Sequence, residues 1–133
     1  MQFSVENAKP DQLQSACLVA GVFAGGKLTA AAQTIDKASH GYLSKLIKGG
    51  ALEGRSGQTL LLFQVPGITA ERLLLVGLGM EKDFKLPTYR KAMHQTVRAL
   101  NDNGVKQATS TLSLLAMQIL LRKLLPAQEN PLL

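Results

Sequence analysis

The sequence has few of the residue types that point directly to chemistry at a site. Its 133 residues include one cysteine, two histidines and no tryptophan, and only 5% of them are aromatic. The single thiol, Cys17, excludes an internal disulfide, which fits a reducing compartment. With so few aromatic side chains, the core has to be built from leucine, valine, isoleucine and alanine, and the length suits one domain.

Segments that would direct the chain to a membrane are also missing. Residues 1–6 contain no basic segment followed by an apolar stretch, so they do not resemble a secretory signal. The longest apolar-rich stretch, 112–121, is shorter than the roughly 20 residues that a membrane span needs. We therefore expect a soluble, cytoplasmic protein with no membrane partner.

The residues that could carry catalysis or a metal ion are scattered. Cys17 lies in the apolar run 16–23, which predicts a buried structural thiol, because a nucleophile needs a base and an electropositive setting. His40 and His94 have no partner at metal-ligand spacing on a shared helix face. No Gly-Ser-Gly nucleophile pattern occurs, although a triad assembled from distant residues stays open. We predict no catalytic and no metal-binding residues.

Apolar patterns predict alternating strands and helices. Strand patterns occupy four segments and the start of a fifth: 2–6, 16–23, 59–65, 72–78 and the region from about 105. Helical spacing occupies three segments: 28–38, 42–48 and 86–100. The runs 59–65 and 72–78, joined by a Pro-Gly turn, are predicted to be antiparallel neighbours buried on both faces. The sequence thus predicts an α/β fold, a three-layer α/β/α arrangement with a mixed β-sheet.

The longest predicted helix carries an apolar stripe on one side. Its members recur at steps of 3, 4, 4 and 3: Leu86, Tyr89, Met93, Val97 and Leu100. Pro87 suits the first turn, and the Asn-Gly pair at 103–104 predicts the helix end.

The same helix carries the strongest partner-binding feature of the chain. Lys91, His94 and Arg98 follow at i, i+3 and i+7, Arg90 and Lys85 lie nearby, and the stretch contains no acidic residue. One interpretation is a solvated helix face. The other is a nucleic-acid-binding site using Arg90, Lys91 and Arg98, whose phosphate contacts would be salt-sensitive. The net charge of +6 permits an anionic partner without establishing one.

Two glycine-containing segments are similar to phosphate-binding loops but incomplete. At 25–27, the places of the first glycine and the hydroxyl residue of such a loop are taken by Ala20 and Leu28. At 77–79, Lys82 stands where a dinucleotide loop needs its third glycine. Turns after strands are therefore predicted, and a nucleotide or ADP-ribose site at 77–79 remains an alternative.

Seven short segments, taken in order and spacing, carry a resemblance. They are 15–19, 41–43, 52–54, 57–62, 65–66, 71–79 and 96–104. Together they resemble the amino-terminal domain of the leucine aminopeptidases, the cytosol aminopeptidase family, over roughly residues 1–110. The resemblance implies a macrodomain-like fold and a non-catalytic role in assembly or regulation.

For the parent protein, the resemblance implies a further, catalytic domain. In the family that domain binds two divalent metals, manganese or zinc, and removes amino-terminal residues from peptides, leucine preferred. Its hallmark Asn-Thr-Asp-Ala-Glu-Gly-Arg is absent from this sequence, so no catalytic or metal-binding residue is carried over and no cofactor is expected in this chain. The implied partners are the catalytic domain and further copies, since members form hexamers, with DNA as an alternative because some bacterial members bind it.

The predicted domain covers residues 1–125, followed by a loose tail at 126–133, with the catalytic domain absent. The segment 112–125 is more apolar than the resemblance implies. Two interpretations stay open: a helix whose leucine face docks on the sheet, or an altered or truncated end. If that face is uncovered, it would favour self-association.

Overall fold

The computed structural model describes residues 2–4 and 15–112. Six strands are found there: β1 (Gln2–Ser4), β2 (Leu18–Phe23), β3 (Lys27–Leu28), β4 (Thr59–Phe63), β5 (Arg72–Gly77) and β6 (Gln107–Ser110). Three α-helices accompany them: α1 (Ala30–Ala38), α2 (Tyr42–Lys48) and α3 (Leu86–Asp102). A short 3₁₀ helix, Glu81–Asp83, precedes α3. Each predicted strand and helix is therefore present, with bounds that differ by a few residues.

The strands form one mixed sheet in the order β1-β6-β2-β5-β4, with β3 paired beside β2. The strands β1, β6, β2 and β5 run parallel to one another. The strand β4 runs antiparallel to β5, and β3 runs antiparallel to β2. The mixed sheet and the antiparallel pairing of β4 with β5 are thus confirmed.

Side chains of β2 and β5 alternate between two hydrophobic clusters on opposite faces of the sheet. One cluster joins the strands to α1 and α2, and its members include Leu18, Ala20, Val22, Leu73, Leu75, Ala32, Ile35 and Leu43. The other joins them to α3, and its members include Cys17, Val19, Leu74, Val76, Ala92 and Leu100. Strands that are apolar on both faces need a helical layer on each side. The predicted three-layer arrangement is confirmed.

The prediction that both neighbouring strands are buried on both faces is right for β5 and wrong for β4. In β4 the central side chains are half-buried, while Thr59 and Phe63 are exposed, Phe63 by 60%. The cause is position: among the described residues, β5 is the only strand beside β4. The guanidinium of Arg72 lies over the Phe63 ring, 5.3 Å from its centroid.

The apolar stripe predicted for α3 is wrong at two positions. Leu86 and Val97 are 43% and 37% exposed, whereas Ala92, Thr96 and Leu100 form the buried face. The Thr96 hydroxyl donates to the Ala92 carbonyl at 2.7 Å, which satisfies it inside the core. The helix therefore turns its small side chains toward the sheet. Its start next to Pro87 and its end at Asn103 agree with the prediction.

Side-chain hydrogen bonds define the starts of α1 and α2. Thr29 precedes α1, where its hydroxyl accepts from the Ala32 N–H at 3.3 Å and donates to the Gly21 carbonyl at 2.9 Å. The helix begins later than predicted because residues 27–28 form β3. At α2, the Asp36 carboxylate of α1 accepts from the N–H and the hydroxyl of Ser44. One helix thus caps the next.

Some of the predicted segments lie partly or wholly outside the described residues. The strand predicted to start near 105 runs from Gln107 to Ser110. The segment from 113 onward, including the predicted tail at 126–133, and residues 5–6 of the first predicted strand lie outside the described residues. Within the part that is described, no helix has the length and apolar character to cross a membrane.

Candidate functional site

The basic residues of α3 lie on the side of the helix that faces away from the sheet. Lys91, His94 and Arg98 are all exposed, opposite the buried Ala92 and Thr96. At 1.5 Å of rise per residue, Lys91 and Arg98 are separated by about 10 Å along the axis. Arg90 is exposed too, but one residue corresponds to about 100° of rotation, so it lies beside this line.

No ion pair in the described residues involves this basic face. The ion pairs found in 2–4 and 15–112 join Lys27 to Glu81 and Arg55 to Glu53, and neither involves α3. Asp102, at the far end, is the only acidic residue of the helix. The structure therefore brings Lys91, His94 and Arg98 into one exposed row, with Arg90 at its side.

A loop fills the end of the sheet at which β2 and β5 terminate. The segment 52–58 lies across both strand ends and exchanges backbone hydrogen bonds with the turns around it. The Gly79 N–H donates to the Gly54 carbonyl at 2.9 Å, and the Gly77 N–H donates to the Gln58 carbonyl at 2.8 Å. The Gly26 N–H donates to the Glu53 carbonyl at 3.2 Å. We call this segment the plug loop.

The conformation of the plug loop depends on hydrogen bonds to the side chain of Gln58 and on glycines that allow close backbone contacts. The Gln58 amide oxygen accepts from the N–H groups of Glu53 and Arg55 at 3.1 and 3.0 Å. A Cβ added to Gly77 would lie 2.0 Å from the Arg55 carbonyl oxygen, and one added to Gly54 would lie 2.1 Å from the Phe23 carbonyl oxygen. These two glycines are required by close backbone approach.

The plug loop contacts the segment 77–79, for which a nucleotide or ADP-ribose site was the alternative prediction. In open α/β sheets, ligands bind outside the carboxyl ends of the strands, and phosphate sites use free backbone N–H groups. Here the N–H groups of Gly77 and Gly79 already donate to carbonyls of the plug loop. The segment 24–26 forms a turn between β2 and β3, in which Gly25 and Gly26 have φ of 83° and 78°. The turn predicted at 25–27 is confirmed, whereas 77–79 contains the last residue of β5 followed by irregular backbone rather than a turn.

The cysteine is structural, as predicted. Cys17 is fully buried, and burial raises the pKa of its thiol from its ordinary 9.0 to about 11, although the nearby charge of Arg72 opposes the shift. A nucleophilic cysteine needs the opposite change, toward a lower pKa.

The resemblance assigns the family's two divalent metals to the catalytic domain, and the two histidines of this chain do not lie together. His40 follows α1 with φ of 57°, and His94 lies on α3, so the two histidines belong to different layers. Across residues 2–4 and 15–112, no three histidine, cysteine or carboxylate side chains come together as a possible metal site.

Sequence reasoning missed the plug loop as a structural unit. Its signal was present as two glycines, Gly54 and Gly57, followed by Gln58. Glycines at φ of 88° and 93° flank a turn that the glutamine side chain closes. A Cβ added to Gly57 would meet open space, so this glycine is needed for its positive φ alone.

Comparison with known proteins gives a consistent family match. The family model described as "Cytosol aminopeptidase family, N-terminal domain" matches residues 19–118. A probable cytosol aminopeptidase from Idiomarina loihiensis is 47% identical over 113 residues, covering 85% of this chain and 23% of that protein. Another from Dechloromonas aromatica is 44% identical over 109 residues, covering 82% and 22%. The chain thus spans less than a quarter of the length of these relatives.

Two solved structures resemble the fold. A tomato leucine aminopeptidase mutant has a TM-score of 0.62 at 18% identity, covering 83% of this chain and 22% of that chain. The macrodomain of Mycobacterium tuberculosis DarG has a TM-score of 0.61 at 10% identity, covering 82% and 74%. At these identities the likeness concerns the fold alone, and it confirms a macrodomain-like α/β fold.

Proposed function

The chain belongs to the cytosol aminopeptidase family through that family's N-terminal domain, and on this premise we propose that it is the non-catalytic part of a metal-dependent leucyl aminopeptidase. Its role is to assemble with the catalytic half and to position it. One observation carries the proposal: the matching family model describes the N-terminal domain and covers residues 19–118. The parent protein acts in the cytoplasm, and its manganese or zinc ions belong to the catalytic half.

The chemistry of the described residues supports a non-catalytic role. The Cys17 thiol is buried, and its raised pKa keeps it protonated at neutral pH. The N–H groups at the strand ends are bound by the plug loop, so they offer no oxyanion or phosphate site. His40 and His94 lie in different layers, which leaves each without the other as a catalytic or ligating partner.

Peptidase assays test the absence of catalysis directly. We expect the pure 133-residue protein to release no leucine from leucine amide, with or without added manganese or zinc. The assay needs a family enzyme as a positive control in the same buffer. Metal-dependent turnover that co-purifies with this chain would refute the proposal.

A segment exchange tests the assembly role. In the Idiomarina loihiensis relative, which is 47% identical over the matching 113 residues, the matching segment is either deleted or replaced by this chain. We expect the deletion to reduce activity and to change the sedimentation mass, and the replacement to restore both. A deletion variant with the activity and mass of the whole relative would show that the segment has no such role.

A second candidate function, nucleic-acid binding, is favoured by the exposed row of basic residues on α3, which takes part in no ion pair of the described residues. Lys91 and Arg98 are exposed about two helical turns apart, and Arg90 lies beside them. Lysine and arginine contacts to phosphates release counterions, so affinity falls steeply as salt rises. We expect weak DNA binding of this kind, largely independent of base sequence.

A charge-reversal pair tests that candidate. Lys91→Glu combined with Arg98→Glu is expected to abolish binding in a salt titration followed by fluorescence anisotropy. The matched control is Lys45→Glu with Lys48→Glu, two exposed lysines of α2 on the other face of the sheet. Equal loss of affinity in both variants would indicate an effect of net charge alone, and unchanged affinity in the α3 variant would rule out this face.

A further inference from the structure

The strand β4 (Thr59–Phe63) forms the border of the sheet among the described residues. Its inner side pairs with β5 in a register that matches Thr59 with Val76 and Phe63 with Arg72. Its outer side has no strand beside it in the part of the chain that the structure describes. An open edge of this kind presents backbone donors and acceptors to any strand that can approach it.

The hydrogen bonds that flank β4 define which of its backbone groups point outward. Just before the strand, the Gln58 carbonyl accepts from the Gly77 N–H at 2.8 Å, and just after it, the Gln64 N–H donates to the Glu71 carbonyl at 3.1 Å. Even-numbered positions therefore face β5. Because backbone groups alternate along a strand, the N–H and C=O of Thr59, Leu61 and Phe63 point away from the sheet.

This outward set is symmetric about its middle member. Leu61 lies at the centre, and Thr59 and Phe63 lie two residues to either side. An antiparallel strand with the same spacing, centred on Leu61, can therefore pair with every outward N–H and C=O. The strand with that spacing that is certain to be present in solution is β4 of a second molecule.

The residues of β4 also lack the features that protect natural edges. Its sequence, Thr-Leu-Leu-Leu-Phe, contains no charge and no proline. Such residues are the usual means by which edge strands avoid pairing. The Phe63 ring is 60% exposed at the end of the strand, so pairing would also cover apolar surface.

We propose that this edge is a self-association surface, on which β4 pairs antiparallel with β4 of a second copy about a two-fold axis at Leu61. The sheet then continues from one molecule into the next. Thr59 faces Phe63 of the partner copy at both ends of the pair, and Leu60 faces Leu62. An isologous contact of this form closes on itself, so it gives a dimer rather than a filament.

Sedimentation and hydrogen exchange test the surface on the full chain. We expect the mass to rise with concentration from 14.3 kDa toward twice that value. Over the same range, amide exchange should slow at Thr59, Leu61 and Phe63. A monomer at every concentration would overturn the proposal. Protection of these amides in the monomer would overturn it too, since the chain's own residues would then cover the edge.

Two variants test the register. In Thr59→Glu with Phe63→Glu, carboxylates face each other across the axis, while Arg72 still compensates position 63 within each molecule. In Thr59→Lys with Phe63→Glu, each introduced ammonium faces an introduced carboxylate. Like charges directly opposite each other destabilise a strand pair, and opposite charges stabilise it. We therefore expect a dissociation constant about tenfold higher for the first variant than for the second.

The matched control is Val97→Glu, which introduces the same charge at an exposed apolar position of α3. It should leave the dimer unchanged. Equal dissociation constants for the two register variants, or loss of the dimer in the control alone, would show that association uses another surface. Circular dichroism of each variant establishes that the fold is intact, which is expected because both β4 positions are exposed.

Discussion

At the residue scale, Gly77 shows how one missing side chain permits a close approach of two backbone segments. An added Cβ would lie 2.0 Å from the carbonyl oxygen of Arg55, and a backbone atom cannot move aside as a flexible side chain can. We expect Gly77→Ala to lower the free energy of unfolding by about 2–4 kcal/mol, as overpacking with backbone displacement does. Urea denaturation measures the change.

Gly49→Ala is the matched control for that substitution. Gly49 has φ of −77°, and an added Cβ would find its nearest atom at 3.4 Å. We expect a change within about 1 kcal/mol, toward higher stability, because alanine restricts the unfolded chain more than glycine does. If both substitutions lowered the free energy of unfolding equally, the close approach between β5 and the plug loop would not be the reason that Gly77 is needed.

Cys17 predicts a pH dependence of stability. Burial raises the pKa of its thiol from 9.0 to about 11, so the folded protein holds this proton at pH values where the unfolded chain releases it. The contribution of the protonated thiol to the free energy of unfolding is fully present below pH 9.0 and is lost as pH rises toward 11. At pH 10 about half of it, roughly 1.4 kcal/mol, should be gone.

Comparison with Cys17→Ala isolates this effect from the titration of lysine and tyrosine. The variant is expected to be less stable at pH 8 because it leaves a small cavity, but its stability should fall less steeply between pH 8 and about 10.5. Unfolding by urea at several pH values gives both slopes. Parallel curves for the two proteins would show that the thiol keeps an ordinary pKa.

At the scale of elements, Asp36 joins the two helices that cover one face of the sheet. Its carboxylate accepts from the Ser44 N–H at 3.0 Å and from the Ser44 hydroxyl, at a helix whose own N-cap, Gly41, offers no side chain. We expect Asp36→Ala to cost about 1–2 kcal/mol, the usual value of a lost cap. Thermal and urea unfolding measure it.

Asp102→Ala provides the control for charge removal. Asp102 is exposed at the end of α3, where a carboxylate gains nothing from the helix dipole. Its removal should change stability by less than about 0.5 kcal/mol. If both substitutions cost the same, the contact between α1 and α2 does not contribute beyond the loss of one negative charge.

The elements themselves were predictable because their patterns are local. Continuous apolar runs identified β2 and β5, and the Pro-Gly turn at 66–67 identified the antiparallel pair. The packing surface of α3 was not predictable in the same way. Hydrophobicity favoured Leu86 and Val97, but close approach to the sheet favours Ala92 and a Thr96 whose hydroxyl is bonded to its own helix. Spacing alone does not reveal which neighbour a helix will meet.

The candidate site was predictable in part for the same reason. Lys91 and Arg98 share a face because helix periodicity places them there, while Arg90 is rotated away from that line. The exposed edge of β4 and the plug loop depend on contacts between distant segments, such as Gly77 with Arg55. The sequence of each segment, taken alone, does not indicate such a contact.

At the scale of the whole molecule, a macrodomain-like fold does not by itself provide a ligand site. The plug loop lies across the carboxyl ends of β2 and β5, and the N–H groups of Gly77 and Gly79 are bonded to it. We therefore expect no saturable heat when ADP-ribose is titrated into the protein, and no shift in its thermal unfolding. Binding with defined stoichiometry would show that the loop opens.

The pairing of β1 with β6 has a consequence for how the molecule is made. Gln2 lies beside Gln107 and Ser4 beside Thr109, so β1 joins the sheet only when β6, far along the chain, is available to pair with it. Contacts between such distant segments slow folding because a long loop has to close first. We therefore expect β1 to join after β2 and β5 have paired, so that the strand order of the sheet is completed from its middle strands outward.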